Sequence, residues 1–463
     1  MTSQRFMGRG SMFYSLISSV FFVLLSCTGY VSVDPPISEL SSNLVFDDAV
    51  TASAAVTALY GKMVDGGFAN GDAWSITVSM GLSSDELTTD SSSPSIGYFI
   101  NNNHLPSSPQ VLAIWTDCYY LIYAANSVLE GINRSYKISQ SLRDQLSGEA
   151  LFVRAFCHFY LVNLFGDIPY VTSTDYRLNS TLSRTSERDV YNGIIADLDL
   201  SQSLLPGDYL TDSRTRPNKF TALALQSRVF LYSGDWTRAE SSAGRVIESS
   251  LYRLVDIDSV FLRASRETIW QLAPKITGET NNTQEAYNFL PRNGGAPFYY
   301  LSDYMVGAFE LNDKRGDRWV GQEEIESKTY SFPRKYKEFG FTDQPIEMSV
   351  VLRLAEQYLI RAEARAHNEY FVQAQEDIDK IRGRAGLTSI TTDEEGIFSI
   401  IEKERFVELF AEWGHRWFDL KRTGRADVVF SPIKPGWDVR HLLLPIPQSE
   451  ILVNTNLKPN PGY

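Results

Sequence analysis

IIEKERFVELFAEWGHRWFDLKR, residues 400–422, sets apolar side chains at Phe406, Leu409, Phe410, Trp413 and Trp417. Those positions fall on one stripe of an α-helix. Two tryptophans and two phenylalanines make the stripe wide, so other helices must cover it. Glu404, Glu408 and Glu412 repeat at four-residue spacing on the opposite side. In a lone helix such a like-charge row costs roughly 0.2–0.5 kcal/mol per pair, and Arg405 and Arg416 are placed to offset it. The stretch reads as one structural helix and carries nothing that looks like catalysis.

Outward from this helix the same periodicity recurs. Residues 46–63, 114–132, 143–165, 186–204, 218–232, 236–248 and 350–366 each hold apolar positions at helical spacing. Gly166 and Pro169 end the third of these, and Leu205-Pro206 ends the fourth. A repeat is visible between YSGDWTRAESSAGRVI (232–247) and HNEYFVQAQEDIDKI (367–381). Trp236 aligns with Phe371, Ala239 with Ala374, Ala243 with Ile378 and Val246 with Ile381. A small alanine following a bulky residue is the close-packing device of tetratricopeptide-type helix pairs. The two units lie 135 residues apart and so do not read as a simple array. The expectation is an all-α fold of tetratricopeptide-like helical pairs.

Two segments interrupt the pattern. Residues 64–110 are rich in Gly, Ser, Asn, Asp and Pro and carry Trp74, Asp85, Glu86, Tyr98, Phe99 and Asn101. A loop of that length inside a compact protein is functional or disordered, and its aromatics argue against disorder. Residues 251–347 hold no sustained period but carry Trp270, Tyr287, Tyr299, Tyr300, Tyr304 and Trp319.

The first residues read as a leader rather than as fold. Arg5 and Arg9 form a positive n-region, and the apolar run from Met12 to Leu25 is short for a membrane span. It ends at Leu24-Leu25-Ser26-Cys27, the pattern of a bacterial lipobox, whose cysteine thiol takes a diacylglyceryl group. The expected organisation is a lipoprotein signal peptide over 1–26, a lipidated Cys27 with a flexible tether over 27–45, and a single helical domain over 46–463. At least two acyl chains at about 0.8 kcal/mol per buried CH₂ hold a protein stably on a membrane. Of 43 basic residues, two lie in the leader; the other 41 against 56 acidic ones leave a charge of about −15. That argues against nucleic acid and polyanionic polysaccharide as the main ligand and is compatible with neutral sugars or peptides. Cys118 and Cys157 read as buried free thiols, with a disulfide between them left open.

Several stretches together resemble the SusD/RagB-like family of outer-membrane nutrient-uptake lipoproteins of Bacteroidetes-type bacteria. They are Trp115, Tyr119, Ile122 and Asn126; Glu149, Ala150, Phe152, Arg154, Ala155, Phe156 and Asn163 with Phe165-Gly166-Asp167-Ile168-Pro169; Arg353 to Ala366; Ile381 to Leu387; Glu404 to Arg422; and the terminal runs Pro445 to Ile451 and Asn460 to Tyr463. The matches span most of residues 110–463, in order, after a lipobox. The resemblance implies an outer-membrane, surface-exposed lipoprotein. It would act as lid of a TonB-dependent SusC-like β-barrel transporter and deliver an oligosaccharide, or alternatively an oligopeptide. It also implies a ligand face built by segments corresponding here to 64–110 and about 274–330.

Enzyme signatures are absent from the sequence: no G-x-S-x-G, H-E-x-x-H, P-loop or paired C-x-x-C occurs. No catalytic, metal or cofactor site is expected. Sugars present apolar C–H faces to aromatic rings and hydroxyl edges to Asn, Asp and Arg. The candidate ligand residues are therefore Trp74, Tyr98, Asn101, Tyr299, Tyr300 and Trp319, with Asp85 as a hydrogen-bonding partner. Trp319 follows Asp317-Arg318 and also suits a packed helix end. A lipid-anchored tetratricopeptide scaffold that binds only proteins is the competing class; it would need no stacking platform in residues 64–110.

Overall fold

The computed structural model of the protein describes residues 45–390, 393–394 and 396–463. The expected leader, Cys27 and the tether up to residue 44 lie outside the described residues. The long helices are α1 (Ala49–Asp65), α2 (Ile76–Ser83), α3 (Pro109–Arg134), α4 (Gln140–Phe165), α5 (Glu187–Leu204), α6 (Lys219–Ser233), α7 (Trp236–Ile247), α8 (Leu354–His367), α9 (Phe371–Arg384), α10 (Gly396–Leu409) and α11 (His415–Arg422). They stack in order: α1 on α3, then α4, α5, α6, α7 and α8, with α9 and α10 against α8. The fold is all-α with tetratricopeptide-like pairs.

Local chemistry sets the helix ends. Asp48 caps α1, accepting from the amides of Val50 and Thr51. Pro109 opens α3 behind the Ser108 cap, and Asn218 and Thr221 form a reciprocal capping box at α6. Gly234, at φ +75°, turns the chain from α6 into α7, which Asp235 caps.

The two repeat units are neighbours in space, although residues 248–353 separate α7 from α8. Ala239 and Ala243 of α7 pack against Ile360 and Ala364 of α8, and the Trp236 ring lies 3.8 Å from that of His367. The stack is therefore continuous across the insertion.

Four expectations from the sequence need correction. Residues 400–422 form two helices, not one. The chain breaks over Phe410–Gly414, where Ala411, Trp413 and Gly414 all take positive φ. A Cβ at Gly414 would sit 2.6 Å from Met80 Cβ, so close packing against α2 enforces glycine there. Second, the acidic row faces inward. Glu404, Glu408 and Glu412 are buried and paired with Arg315, Arg353, Arg382, Arg384 and Lys335. Third, Ser349–Arg353 is a strand, not the first turn of α8. Its β-branched Val350 and Val351 pair it antiparallel with Thr268–Leu272. Fourth, the segment 64–110 contains α2, whose eight residues are all buried; a helix covered on every side shows no amphipathic period.

Three two-stranded sheets lie in or against the insertion: β1 (Leu87–Thr88), β2 (Thr268–Leu272), β3 (Tyr300–Leu301), β4 (Val320–Ile325), β5 (Lys328–Pro333) and β6 (Ser349–Arg353) pair as β1–β3, β2–β6 and β4–β5. Glu326 and Ser327 both have positive φ, the geometry of a two-residue hairpin turn matched to strand twist. Behind these sheets Phe152, Phe156, Trp270 and Trp413 form an edge-to-face aromatic core with centroids 4.8–5.6 Å apart.

Candidate ligand-binding face

The seam β1–β3 brings the two irregular segments together, with Thr88 opposite Tyr300 and Leu87 opposite Leu301. Asp90, just beyond it, collects three donors. The hydroxyls of Tyr300 and Tyr330 and the Lys328 ammonium each reach its carboxylate at 2.6 Å. Lys328 also donates to the Tyr300 hydroxyl at 2.9 Å and lies 4.7 and 4.6 Å from the Tyr300 and Tyr330 ring centroids. Hydrogen bonds from Lys328, Tyr300 and Tyr330 hold the Asp90 carboxyl down at about 2. Thr89 adds a bond to the Phe298 carbonyl, a further link between the two segments.

Next to this knot is an exposed aromatic ledge. Phe298 is 51% exposed, and its ring lies 6.2 Å from that of Tyr287. The Arg292 guanidinium covers both, 3.5 Å from the Tyr287 centroid and 4.9 Å from that of Phe298. Its nearest carboxylate is Glu279 at 3.6 Å. Along Phe298-Tyr299-Tyr300-Leu301, which bends into the strand Tyr300–Leu301, burial alternates. Phe298 and Tyr300 keep solvent access, while Tyr299 and Leu301 are 3% exposed. Burial, with the charge of Asp72 nearby, raises the Tyr299 hydroxyl to about 12.

The candidate residues from the sequence separate into three groups. Trp74 and Tyr300 keep partial exposure. Asn288 donates to the Gly71 carbonyl at 3.1 Å and accepts from the Tyr299 amide at 3.3 Å, tying the loop that carries Trp74 to the strand that carries Tyr300. Tyr98 and Asn101 sit at the end of a short helix, Pro94–Ile100, that packs on α2. Tyr98 is half-buried and Asn101 exposed, and among the described residues no hydrogen bond or ring contact joins them to the Tyr300 knot.

Tyr299, Asp85 and Trp319 form the third group, and all three are enclosed. Tyr299 backs the ledge from inside. Asp85 is an internal ion-pair partner, taking two 2.8 Å bonds from Arg416. Trp319 has no exposed surface; its indole N–H donates to the Ile257 carbonyl at 3.1 Å, and Lys335 lies 4.8 Å from its ring. In this conformation none of the three offers a surface to a ligand. Phe298, Arg292, Asp90 and Tyr330 were not singled out from the sequence. Alternation through Phe298-Tyr299-Tyr300-Leu301 was the signal that would have chosen Phe298 over Tyr299.

The five histidines hold no common centre. Burial pushes His104 and His158 down to about 3. Among the described residues no cluster of three or more His, Cys, Asp or Glu side chains could hold a metal ion. Cys118 and Cys157 are buried free thiols. No described helix is long and apolar enough to cross a membrane.

A stack of helical pairs carrying a long insertion with an exposed aromatic ledge defines a binding protein built on a repeat scaffold. Residues 38–231 match a SusD-like profile described as starch-binding associating with outer membrane, and residues 326–463 match the profile of the SusD family. SusD-like protein P2 of Formosa agariphila is 29% identical over 413 residues, covering 76% of this chain and 81% of that one. A laminarin-binding SusD-like protein of known structure superposes with a TM-score of 0.76 at 24% identity, over 89% of this chain and 99% of the other. Surface glycan-binding protein A from Bacteroides thetaiotaomicron, solved with laminarihexaose, gives 0.74 at 19% identity, over 88% and 98%. The chain belongs to the SusD/RagB-like family.

Proposed function

We propose that the protein captures an oligosaccharide at the cell surface and acts as the lid of a TonB-dependent β-barrel transporter in the outer membrane. The observation that carries the binding step is the ledge of Tyr287, Phe298 and Tyr300, rimmed by Arg292 and Lys328. Flat apolar rings suit the C–H faces of sugar rings, and the rim supplies donors to hydroxyls. Membership of a family whose profile is described as starch-binding and outer-membrane associating supports the placement and the ligand class. So do the glycan-binding structures of similar fold. The chain is a binding protein and not an enzyme.

Under this reading Trp74 and Tyr300 contact ligand, Tyr98 and Asn101 extend the face, and Tyr299 supports Phe298 from beneath. Asp85 and Trp319 act through stability alone. Lipidation at Cys27 and the following tether would hold the lid to the membrane and permit it to swing. Ledge and barrel would share one ligand, so each surface alone binds weakly and the pair binds tightly.

The test is affinity electrophoresis and calorimetry of the full chain in detergent against neutral glucans and a peptide digest, beside Phe298→Ala and Tyr300→Ala. Saturable binding of one glycan class, weakened about tenfold in each variant, is the expected result. Binding of peptides with none of glycans would overturn the sugar assignment. Affinity purification of the tagged chain from native membranes without a co-purifying β-barrel would overturn the lid assignment.

A further inference from the structure

A second cavity, of about 690 Å³, opens within the helical stack, and none of its lining residues comes from the insertion. Its walls come from the α6–α7 turn and from α8, α10 and α11, with Thr423 and Arg425 beyond. The volume falls within the ~300–1,000 Å³ typical of small-molecule sites.

One wall is aromatic. The rings of Trp236 and His367 stack at 3.8 Å and 9°, and the partly exposed Phe398 lies 4.8 Å beyond His367. Burial moves the His367 imidazole below its ordinary value, so the ring is neutral at neutral pH, with one donor and one acceptor.

The polar lining is charge-balanced. Arg422 binds Glu363 at 2.5 and 2.7 Å, Arg405 binds Asp419 at 2.7 and 3.0 Å, and Arg425 reaches Glu402 at 3.2 Å. Three lining arginines thus meet three lining carboxylates, which disfavours a net anion or cation as occupant. Three polar groups remain without a hydrogen-bond partner among the described residues. They are the Tyr232 hydroxyl, the His367 imidazole and Arg405 Nη1, the last on a side chain that is 2% exposed. Of the three only Arg405 Nη1 is closed to solvent, and a buried donor of that kind is normally satisfied, whereas Tyr232 is part-buried and His367 exposed. A stack of rings beside unfilled donors and acceptors, with no net charge, matches a neutral hydroxylated ring.

We propose that this cavity is a second carbohydrate site, separate from the ledge and specific for short neutral saccharides. Trp236 and Phe398 face the apolar side of a sugar ring, while Tyr232, His367 and Arg405 take its hydroxyls. The site shares no residue with the ledge, so it stands or falls separately from the function proposed above.

The experiment starts from the full chain carrying Phe298→Ala and Tyr300→Ala, which removes the ledge. Saturation-transfer NMR and calorimetry then follow glucose, maltotriose and laminaritriose. The expected result is saturable binding of at least one of these sugars, weakened tenfold or more by adding Phe398→Ala or Tyr232→Phe. Tyr232→Phe deletes one hydroxyl and keeps the ring, and unchanged circular-dichroism melting controls for folding. Absence of saturable binding overturns the site, as does binding indifferent to both changes.

Discussion

Arg416 grips both carboxylate oxygens of Asp85 at 2.8 Å, joining α11 to the loop after α2 across 331 residues of chain. Both side chains are nearly closed to solvent. Breaking a buried pair from one side leaves the other charge uncompensated and costs about 3–5 kcal/mol. Asp85→Ala should therefore lower unfolding stability by that amount in urea titration. Adding Arg416→Met should recover a large part of the loss, since both charges are then gone. Recovery below a few tenths of a kcal/mol would mean that the two residues do not act as a pair.

The cluster beneath α10 makes a second case. Burial alone would raise the Glu408 carboxyl, but Arg384, Arg353 and Arg315 override it and hold the group well below the usual carboxylate range. Glu408→Gln keeps the shape and removes the charge. It should cost about 3–5 kcal/mol, again through stranded cations. Circular-dichroism melting would show a large drop, whereas the exposed Glu394→Gln should change stability by less than about 0.5 kcal/mol.

Asp90 gives a pH prediction with a definite sign. Its folded value of about 2 lies below the ordinary 3.8. Its contribution to the seam is thus present above pH 3.8 and fades as pH falls through about 2. Lys328→Met removes the largest cause, so the Asp90 carboxyl should titrate closer to 3.8 in a carbon-detected NMR experiment. A midpoint that stays near 2 in the variant would assign the effect to the two tyrosines instead.

Phe298 and Trp319 should separate binding from stability. Phe298→Ala, on an exposed ring, is expected to weaken glycan binding about tenfold, or ~1.4 kcal/mol, with stability changed by less than about 0.5 kcal/mol. Trp319→Ala opens a core cavity and should cost about 3–5 kcal/mol of stability. Measured under conditions where the variant stays folded, its affinity should match the parent. Reversed outcomes would place the ligand elsewhere.

Helix pairing was legible where helices bury one face, as α3, α5, α7 and α9 do, and where long apolar runs persist, as in the mostly buried α4 and α6. α2 is only eight residues long and wholly buried, so it shows no period and read as loop. Val350-Val351-Leu352-Arg353 read as helix because it runs directly into the apolar pattern of α8, and its partner strand lies some 80 residues earlier. The acidic row read as offset by Arg405 and Arg416 because its actual partners, Arg315, Lys335, Arg353, Arg382 and Arg384, all come from other elements. Composition drew attention to the two irregular segments that the β1–β3 seam brings together. Which ring faces outward depended on the alternation around a two-residue strand, too short to show as a pattern. The Asp90 knot depended on a β-hairpin that nothing in residues 320–333 announced.

The contact between Trp236 and His367 has an evolutionary consequence. It closes the stack on either side of the insertion, so residues 248–353 leave and rejoin at fixed neighbouring points. Loop-closure cost rises only with the logarithm of length, by about 0.6 kcal/mol per doubling. A segment so anchored can be lengthened, shortened or exchanged with little strain on the scaffold, as long as it returns the cations that α10 requires. The repeat stack works as a socket, and what is plugged into it can change while the scaffold stays the same.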